Sequence, residues 1–202
     1  MTDVRPTQTS YAVLGLLAVK PWTTYELARQ SERSLRFFFP RAERAVYSEA
    51  KRLVVLGWAR SRKETTGRRA STVYRITAAG RRALSQWLGE PSSPTRVESE
   101  AALKMFIADR DHPAELRSLV DAIRTDAVEA LEVLGAQAAA PQSFPERIPT
   151  NVLSMRLVAD VQAALLAWSE WAAGAVAVLE EGDESAIDRQ THEALQHVAE
   201  RL

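Results

Sequence analysis

The spacing of apolar residues changes character several times along the chain, and each change marks an element. Residues 10–19, Ser-Tyr-Ala-Val-Leu-Gly-Leu-Leu-Ala-Val, are short, apolar and followed by Lys20-Pro21. That predicts a buried first helix stopped before a proline, because the residue preceding proline is pushed out of helical geometry. Thr23 or Thr24 can cap a second helix, with Glu26 in its first turn and Tyr25, Leu27 and Ala28 opening its buried face. Residues 31–40 interrupt the pattern. The run Phe37-Phe38-Phe39 before Pro40 is expected to plug the space under a turn.

The third helix, expected over 41–56, carries the most information. At 100° per residue, Ala42, Val46, Ala50, Leu53 and Gly57 fall within about 80° of one another. Arg41, Arg44, Ser48, Lys51 and Arg52 fall within about 100° on the opposite side, with Tyr47 at their margin. Glu43 and Glu49 lie off the centre of that stripe, and Val55 falls on it. One face is built to pack. The other presents cations for phosphates and donors for base edges, as a helix entering a major groove requires. The alternative is an ordinary solvated face.

The period then shortens. Residues 58–63 are compatible with a strand, and 72–77, Thr-Val-Tyr-Arg-Ile-Thr, make a better one. Between them a turn contains Gly67, Arg68 and Arg69. A basic hairpin directly after a basic helix predicts a wing lying over the DNA backbone or in a narrow minor groove; the alternative is an edge ribbon with no such role. Thr77-Ala78-Ala79-Gly80 opens a fourth helix, 81–88, closed by Gly89 and Pro91. Three helices, a hairpin and a helix make a winged helix-turn-helix.

Beyond residue 90 the elements are all helical. Residues 97–108 form an amphipathic stretch broken at His112-Pro113, where Pro113 suits a helical first turn. Leu116, Leu119, Val120, Ile123, Ala127, Leu131 and Leu134 then follow coiled-coil-like spacing. Residues 135–149 are expected to be a loop. Residues 151–179 are apolar nearly all round, with Leu153, Leu157, Val161, Leu165, Trp168, Ala172, Val176 and Leu179 along one face. A helix of this kind is buried on more than one side. A membrane span is the rival, but Asp160 and Glu170 interrupt the run and would be costly in mid-bilayer. In so small a domain the second covered side points to a partner chain. Residues 184–202 predict a last helix with Ile187, Leu195, Val198 and Leu202 inward.

The resulting organisation is a DNA-binding domain over 1–90, a linker over 91–97 and an α-helical dimerisation domain over 98–202, mainly α in class. Charge sharpens the division. The formal net charge of +0 conceals 17 Lys and Arg against 7 Asp and Glu in residues 1–90, a net +10, and 9 against 19 in the remainder, a net −10. A basic half suits a polyanion. There are no cysteines, which excludes disulfides, thiolate metal sites and cysteine nucleophiles and fits a reducing, cytoplasmic compartment. Met1 to Arg5 precede no long apolar run, so no secretory signal is expected. His112, His192 and His197 are scattered and lack a same-face ligand spacing. No phosphate loop, nucleophile elbow or paired-carboxylate site stands out. Neither an enzyme nor a metal or other cofactor is expected.

Several segments resemble PadR-family regulators. These are Tyr11-Ala-Val-Leu-Gly-Leu-Leu-Ala, Tyr25-Glu-Leu-Ala, Val46-Tyr-Ser-Glu-Ala-Lys-Arg-Leu-Val-Val-Leu-Gly-Trp58, Gly67-Arg-Arg, and Val73-Tyr-Arg-Ile-Thr-Ala-Ala-Gly-Arg81. The likeness spans residues 10–90. It departs at Thr23-Thr24, where many members carry His-Gly. The resemblance implies that the 41–56 helix reads the major groove and that the Gly-Arg wing touches DNA. It also implies a homodimer joined through C-terminal helices, and repression, in many members released by a small molecule. The DNA-contacting set is then Arg41, Arg44, Tyr47, Ser48, Lys51, Arg52, Gly67, Arg68 and Arg69, on double-stranded DNA with a palindromic operator matched to the dimer's two-fold symmetry. Trp168 and Trp171 could line a pocket for a small aromatic or apolar effector; the alternative makes both core. Winged helices also serve as protein-interaction modules without specific DNA binding, but such a module has no need of so many convergent cations.

Overall fold

A computed structural model describes residues 5–37, 41–66, 69–141 and 144–201; the side chains of 41–44, 65, 66, 69 and 70 fall outside the described set. Two compact units divide between Thr95 and Arg96.

The first unit runs α1 (Gln8–Val19), β1 (Trp22–Thr23), α2 (Thr24–Leu35), α3 (Arg41–Val55), β2 (Ala59–Thr66), β3 (Arg69–Ile76) and α4 (Ala78–Leu88). The strands form an antiparallel sheet in the order β1-β3-β2. This is a winged helix-turn-helix, as the pattern predicts. Its core is mainly apolar: Val13, Leu14 and Leu17 of α1, Leu27 of α2, and Val46, Ala50 and Leu53 of α3 are buried. Thr23 caps α2 through a reciprocal box with Glu26, each satisfying a backbone N–H that the helix leaves free.

Two glycines set the course of the chain after α3. Gly57 adopts φ +71°, which turns the backbone out of the helix toward β2. Gly80 lies so close to the Trp58 carbonyl that a Cβ would stand 2.2 Å from it. Thr77 completes the junction: its hydroxyl donates to the Gly57 carbonyl at 2.8 Å and accepts from the Gly80 N–H at 3.0 Å.

Several expectations are corrected here. The helix α2 continues through Leu35, so residues 31–35 do not break it. Ser31 is fully buried there. The strands reach Thr66 and Arg69, so residues 64–66 and 69–71, expected in a turn, are paired in the ladder instead. Strand β1 was not foreseen; two residues carry no period, and only the pairing of Trp22 with Tyr74 reveals it. Of the phenylalanine plug, Phe38, Phe39 and Pro40 lie outside the described residues.

The second unit contains α5 (Glu100–Ile107), α6 (Pro113–Ala139), a 3-10 turn (Pro145–Arg147), α7 (Ile148–Glu181) and α8 (Glu184–Ala199). The stretch expected as a loop over 135–149 is shorter, because α6 runs on to Ala139 and α7 begins at Ile148. Val120, Ala127, Ala130 and Leu134 of α6 meet Val158, Ser169, Ala172 and Val176 of α7 in the buried layer. Arg117 latches the pair by a bidentate bond to Glu180, at 2.7 and 2.5 Å.

The expected inner face of α7 is only partly inward. Leu153, Leu157 and Val161 are exposed, and the buried line passes through Val158 and Ser169 instead. Leu195 and Val198 of α8, expected inward, are also exposed. Periodicity identifies an apolar stripe without saying which neighbour covers it. By length and composition the helical run Pro145–Glu181, which contains α7, could cross a membrane. It also carries Glu170 and an Arg156–Asp160 ion pair at 2.7 Å.

Candidate nucleic-acid interface

The arrangement of α3 follows from being packed on two sides. α1 and α2 both lie against it. Val46, Ala50 and Leu53 fill that contact, and the remaining arc faces solvent. Tyr47 is 51% exposed, and Ser48 and Lys51 are exposed beside it. Ser48 Oγ donates to the Ala45 carbonyl at 2.9 Å, leaving its lone pairs toward solvent. Arg41 and Arg44 belong to the first turn of this helix, with their side chains outside the described set.

Arg52 departs from the outward stripe. Its side chain is 31% exposed, and it turns toward Glu49, Nη1 to Oε1 at 3.6 Å. Nη2 donates to the Arg5 carbonyl. Glu49, expected merely off the stripe's centre, is buried and accepts from Ser10 Oγ at 2.6 Å. The second neighbour, α1, widens the covered arc of α3 beyond the single face that a helical projection anticipates.

In the hairpin, Gly67 and Arg68 lie outside the described residues, and only the backbone of Arg69 is described. The stem adds cations that were not assigned as site residues. Arg60, Arg62, Lys63 and Arg75 are exposed, with Arg60 opposite Arg75 in the ladder. Arg75 also pairs with Glu64 at 3.5 Å. Alternation in β2 would single out only Arg60 and Arg62, which share one face of this edge strand. A ring cluster stiffens the support behind this surface. Tyr11 of α1 stacks on Trp87 of α4 at 4.7 Å between centroids, and Trp58 approaches Tyr11 at 5.6 Å. Burial, with Glu90 nearby, pushes the Tyr11 hydroxyl above its ordinary range.

A helix held by its apolar face, with an aromatic, a hydroxyl and a cation outward and a cationic hairpin after it, is a helix-turn-helix reading head in outline. Residues 13–86 match the transcriptional regulator PadR-like family. A probable transcriptional regulator of Mycobacterium tuberculosis, Rv1176c, is 30% identical over 133 residues, covering 60% of this chain and 70% of the relative. The chain belongs to the PadR-like family of transcriptional regulators. Among solved structures, smu.1604c of Streptococcus mutans superposes with a TM-score of 0.74 at 18% identity, covering 81% of this chain and 97% of that one. Bacillus subtilis PadR in complex with operator DNA gives 0.68 at 22% identity, covering 83% and 98%. The same protein in complex with p-coumaric acid gives 0.62 at 22% identity, covering 85% and 98%. These structures establish the fold, and the family is one of transcriptional regulators rather than enzymes.

In the second unit, Trp168 is half-buried against the cluster of Val120, Ala172 and Val176, whereas Trp171 is 52% exposed. The two tryptophans thus differ in environment: one contributes to the core and the other faces outward.

Proposed function

We propose that this PadR-family protein is a dimeric, sequence-specific repressor working in the cytoplasm. Its α3 helices enter successive major grooves of a palindromic operator, and its wings lie over the flanking backbone. The observation that carries this reading is the outward face of α3. Tyr47, Ser48 and Lys51 are presented by a helix whose opposite side is fixed in the core. Arg41, Arg44, Gly67, Arg68 and Arg69 complete the set by sequence position. Operator binding by a relative of the same fold supports it. The dimer is supported by apolar side chains left outward on the second unit: Phe106 and Ile107 on α5, and Leu153, Leu157 and Val161 one turn apart on α7.

A gel-shift on DNA upstream of the protein's own gene, with a salt series and non-specific competitor, tests the reading. A specific shift that weakens steeply with salt is expected, because each neutralised phosphate releases counterions. Loss of the shift to competitor, or no binding at low salt, would transfer the reading to a protein-interaction module.

Release by a small aromatic or apolar effector extends the same proposal. The exposed indole of Trp171 is the candidate contact, with Trp168 behind it, and a structural relative binds p-coumaric acid. Trp171→Ala should abolish quenching of tryptophan fluorescence by such a ligand while leaving the fold intact. Equal quenching in the variant would make both indoles structural.

A further inference from the structure

We infer that Glu49 and Arg52 are positioning residues of the DNA-reading helix: they set the rotation of α3 against α1 and do not themselves read DNA. The inference rests on the DNA-binding reading above.

A carboxylate withdrawn from water is costly unless it is paired and hydrogen-bonded. The Glu49 side chain is only 9% exposed, and both of its oxygens are engaged. Oε2 accepts from the fully buried Ser10 hydroxyl at 2.6 Å, and Oε1 faces Arg52 Nη1 at 3.6 Å. Ser10 in turn accepts the Thr7 N–H at 3.0 Å in the capping box that starts α1. Arg52 closes the circuit by donating Nη2 to the Arg5 carbonyl. One polar chain thus joins the beginning of α1 to the flank of α3.

The same contacts turn Arg52 away from the reading face. Recognition of a phosphate or a guanine edge uses a free guanidinium fork. Here Nη2 donates to the Arg5 carbonyl, Nη1 faces the Glu49 carboxylate at ion-pair distance, and Nε is buried without a partner, so the fork is drawn toward the protein. The adjacent carboxylate also offsets its charge, so the pair adds little to the field felt by DNA. Lys51, one residue earlier and exposed, has no such restraint among the described residues.

The two roles predict opposite signs. Glu49→Gln keeps an acceptor for Ser10 and removes a negative charge from the DNA-binding helix. Electrostatics alone would tighten binding; lost positioning weakens it, and the expected change is a loss of about tenfold, equivalent to about 1.4 kcal/mol. Arg52→Gln should likewise weaken binding yet leave the slope of log K against log salt unchanged, whereas Lys51→Ala should reduce that slope by about 0.9. Melting curves confirm that each variant is folded, and the double variant Glu49→Gln/Arg52→Gln avoids stranding one charge. Tighter binding by Glu49→Gln, or a slope reduced by about 0.9 in Arg52→Gln, overturns the inference. Amide exchange on the full chain supplies a readout independent of DNA. Residues 7–10 should exchange faster in Glu49→Gln and Arg52→Gln but not in Lys51→Ala. Unchanged exchange overturns the pair's role, even where the absence of specific DNA binding by the unaltered protein has already defeated the functional reading.

Discussion

The two units solve the problem of burying apolar surface in different ways. In the first, the large apolar side chains of α1, α2 and α3 converge on one another, and Val13, Leu14, Leu27, Val46 and Leu53 have no exposed surface at all. In the second, half of the buried layer between α6 and α7 is small, namely Ala127, Ala130, Ser169 and Ala172, and Leu134 is its one leucine, while Leu153, Leu157 and Phe106 stay outside. Small residues allow two helices to approach closely but bury little area, and hydrophobic stabilisation scales with area. The first unit therefore buries its large apolar side chains within itself. The second leaves Leu153, Leu157 and Phe106 exposed, the surface that the proposed dimer would cover.

The sharpest way to break this comparison is to charge the uncovered stripe. Leu153→Glu combined with Leu157→Glu should raise the dimer dissociation constant at least about a hundredfold, because each leucine is worth about 1.5–3 kcal/mol of burial and a two-fold interface repeats every change. Sedimentation velocity at micromolar concentration would show monomer, and an unchanged dimer would mean that the stripe is not the interface. In the first unit, Leu53→Ala should cost about 2–5 kcal/mol by leaving a cavity among rigid neighbours. Urea unfolding followed through Trp22 and Trp58 should show a loss independent of protein concentration, whereas unfolding of the helical unit shifts with concentration as a coupled dimer does. A concentration-dependent midpoint for both units would erase the distinction.

The two units were also unequally legible from sequence. The winged helix could be read because its signals are local and mutually consistent. Thr23 and Glu26 mark a helix start, Gly89 a helix end, and the β-branched and aromatic run 72–77 a strand. What escaped was decided by contacts distant in sequence. β1 exists only through its pairing with β3. Arg52 turns inward because Glu49 and Arg5 meet it there, and no helical projection of α3 contains residue 5. In the helical unit, the spacing of Val120, Ala127 and Leu134 located one face of α6. The apolar surplus of α7 showed that more than one side must be covered, but which stripe meets α6 depends on the partner helix's own small residues. Leu195 and Val198 follow the same logic: amphipathicity names a face and leaves its cover unspecified.

The smallest expected effect separates the units by the sign of their response to acid. In the first unit, the Glu26 carboxyl is held below its ordinary range, chiefly by the Thr23 backbone N–H and then by the Thr23 hydroxyl. Its contribution is fully present above the unfolded carboxylate value and is lost as pH falls through the depressed folded value. In the second unit, His112 precedes α6 and its Nδ1 lies 2.5 Å from Asp109 Oδ1. That hydrogen bond raises the imidazole above its ordinary value and lowers the carboxyl below its own. The histidine contribution is fully present below its unfolded value and is lost as pH rises through the raised folded value. The Asp109 contribution is lost only in stronger acid, so the pair acts in the window between the two groups. Mild acidification from neutral pH should therefore strengthen the start of α6 while leaving the cap of α2 intact, and stronger acidification should weaken both. Thr23→Ala, expected to cost about 1 kcal/mol, marks the cap. Glu26→Gln and His112→Asn isolate the two titrations, and amide exchange at the first turns of α2 and α6 across pH reads each locally. If protection at α6 falls between pH 7 and 6 in the unaltered protein, the pairing of His112 with Asp109 does not hold in solution.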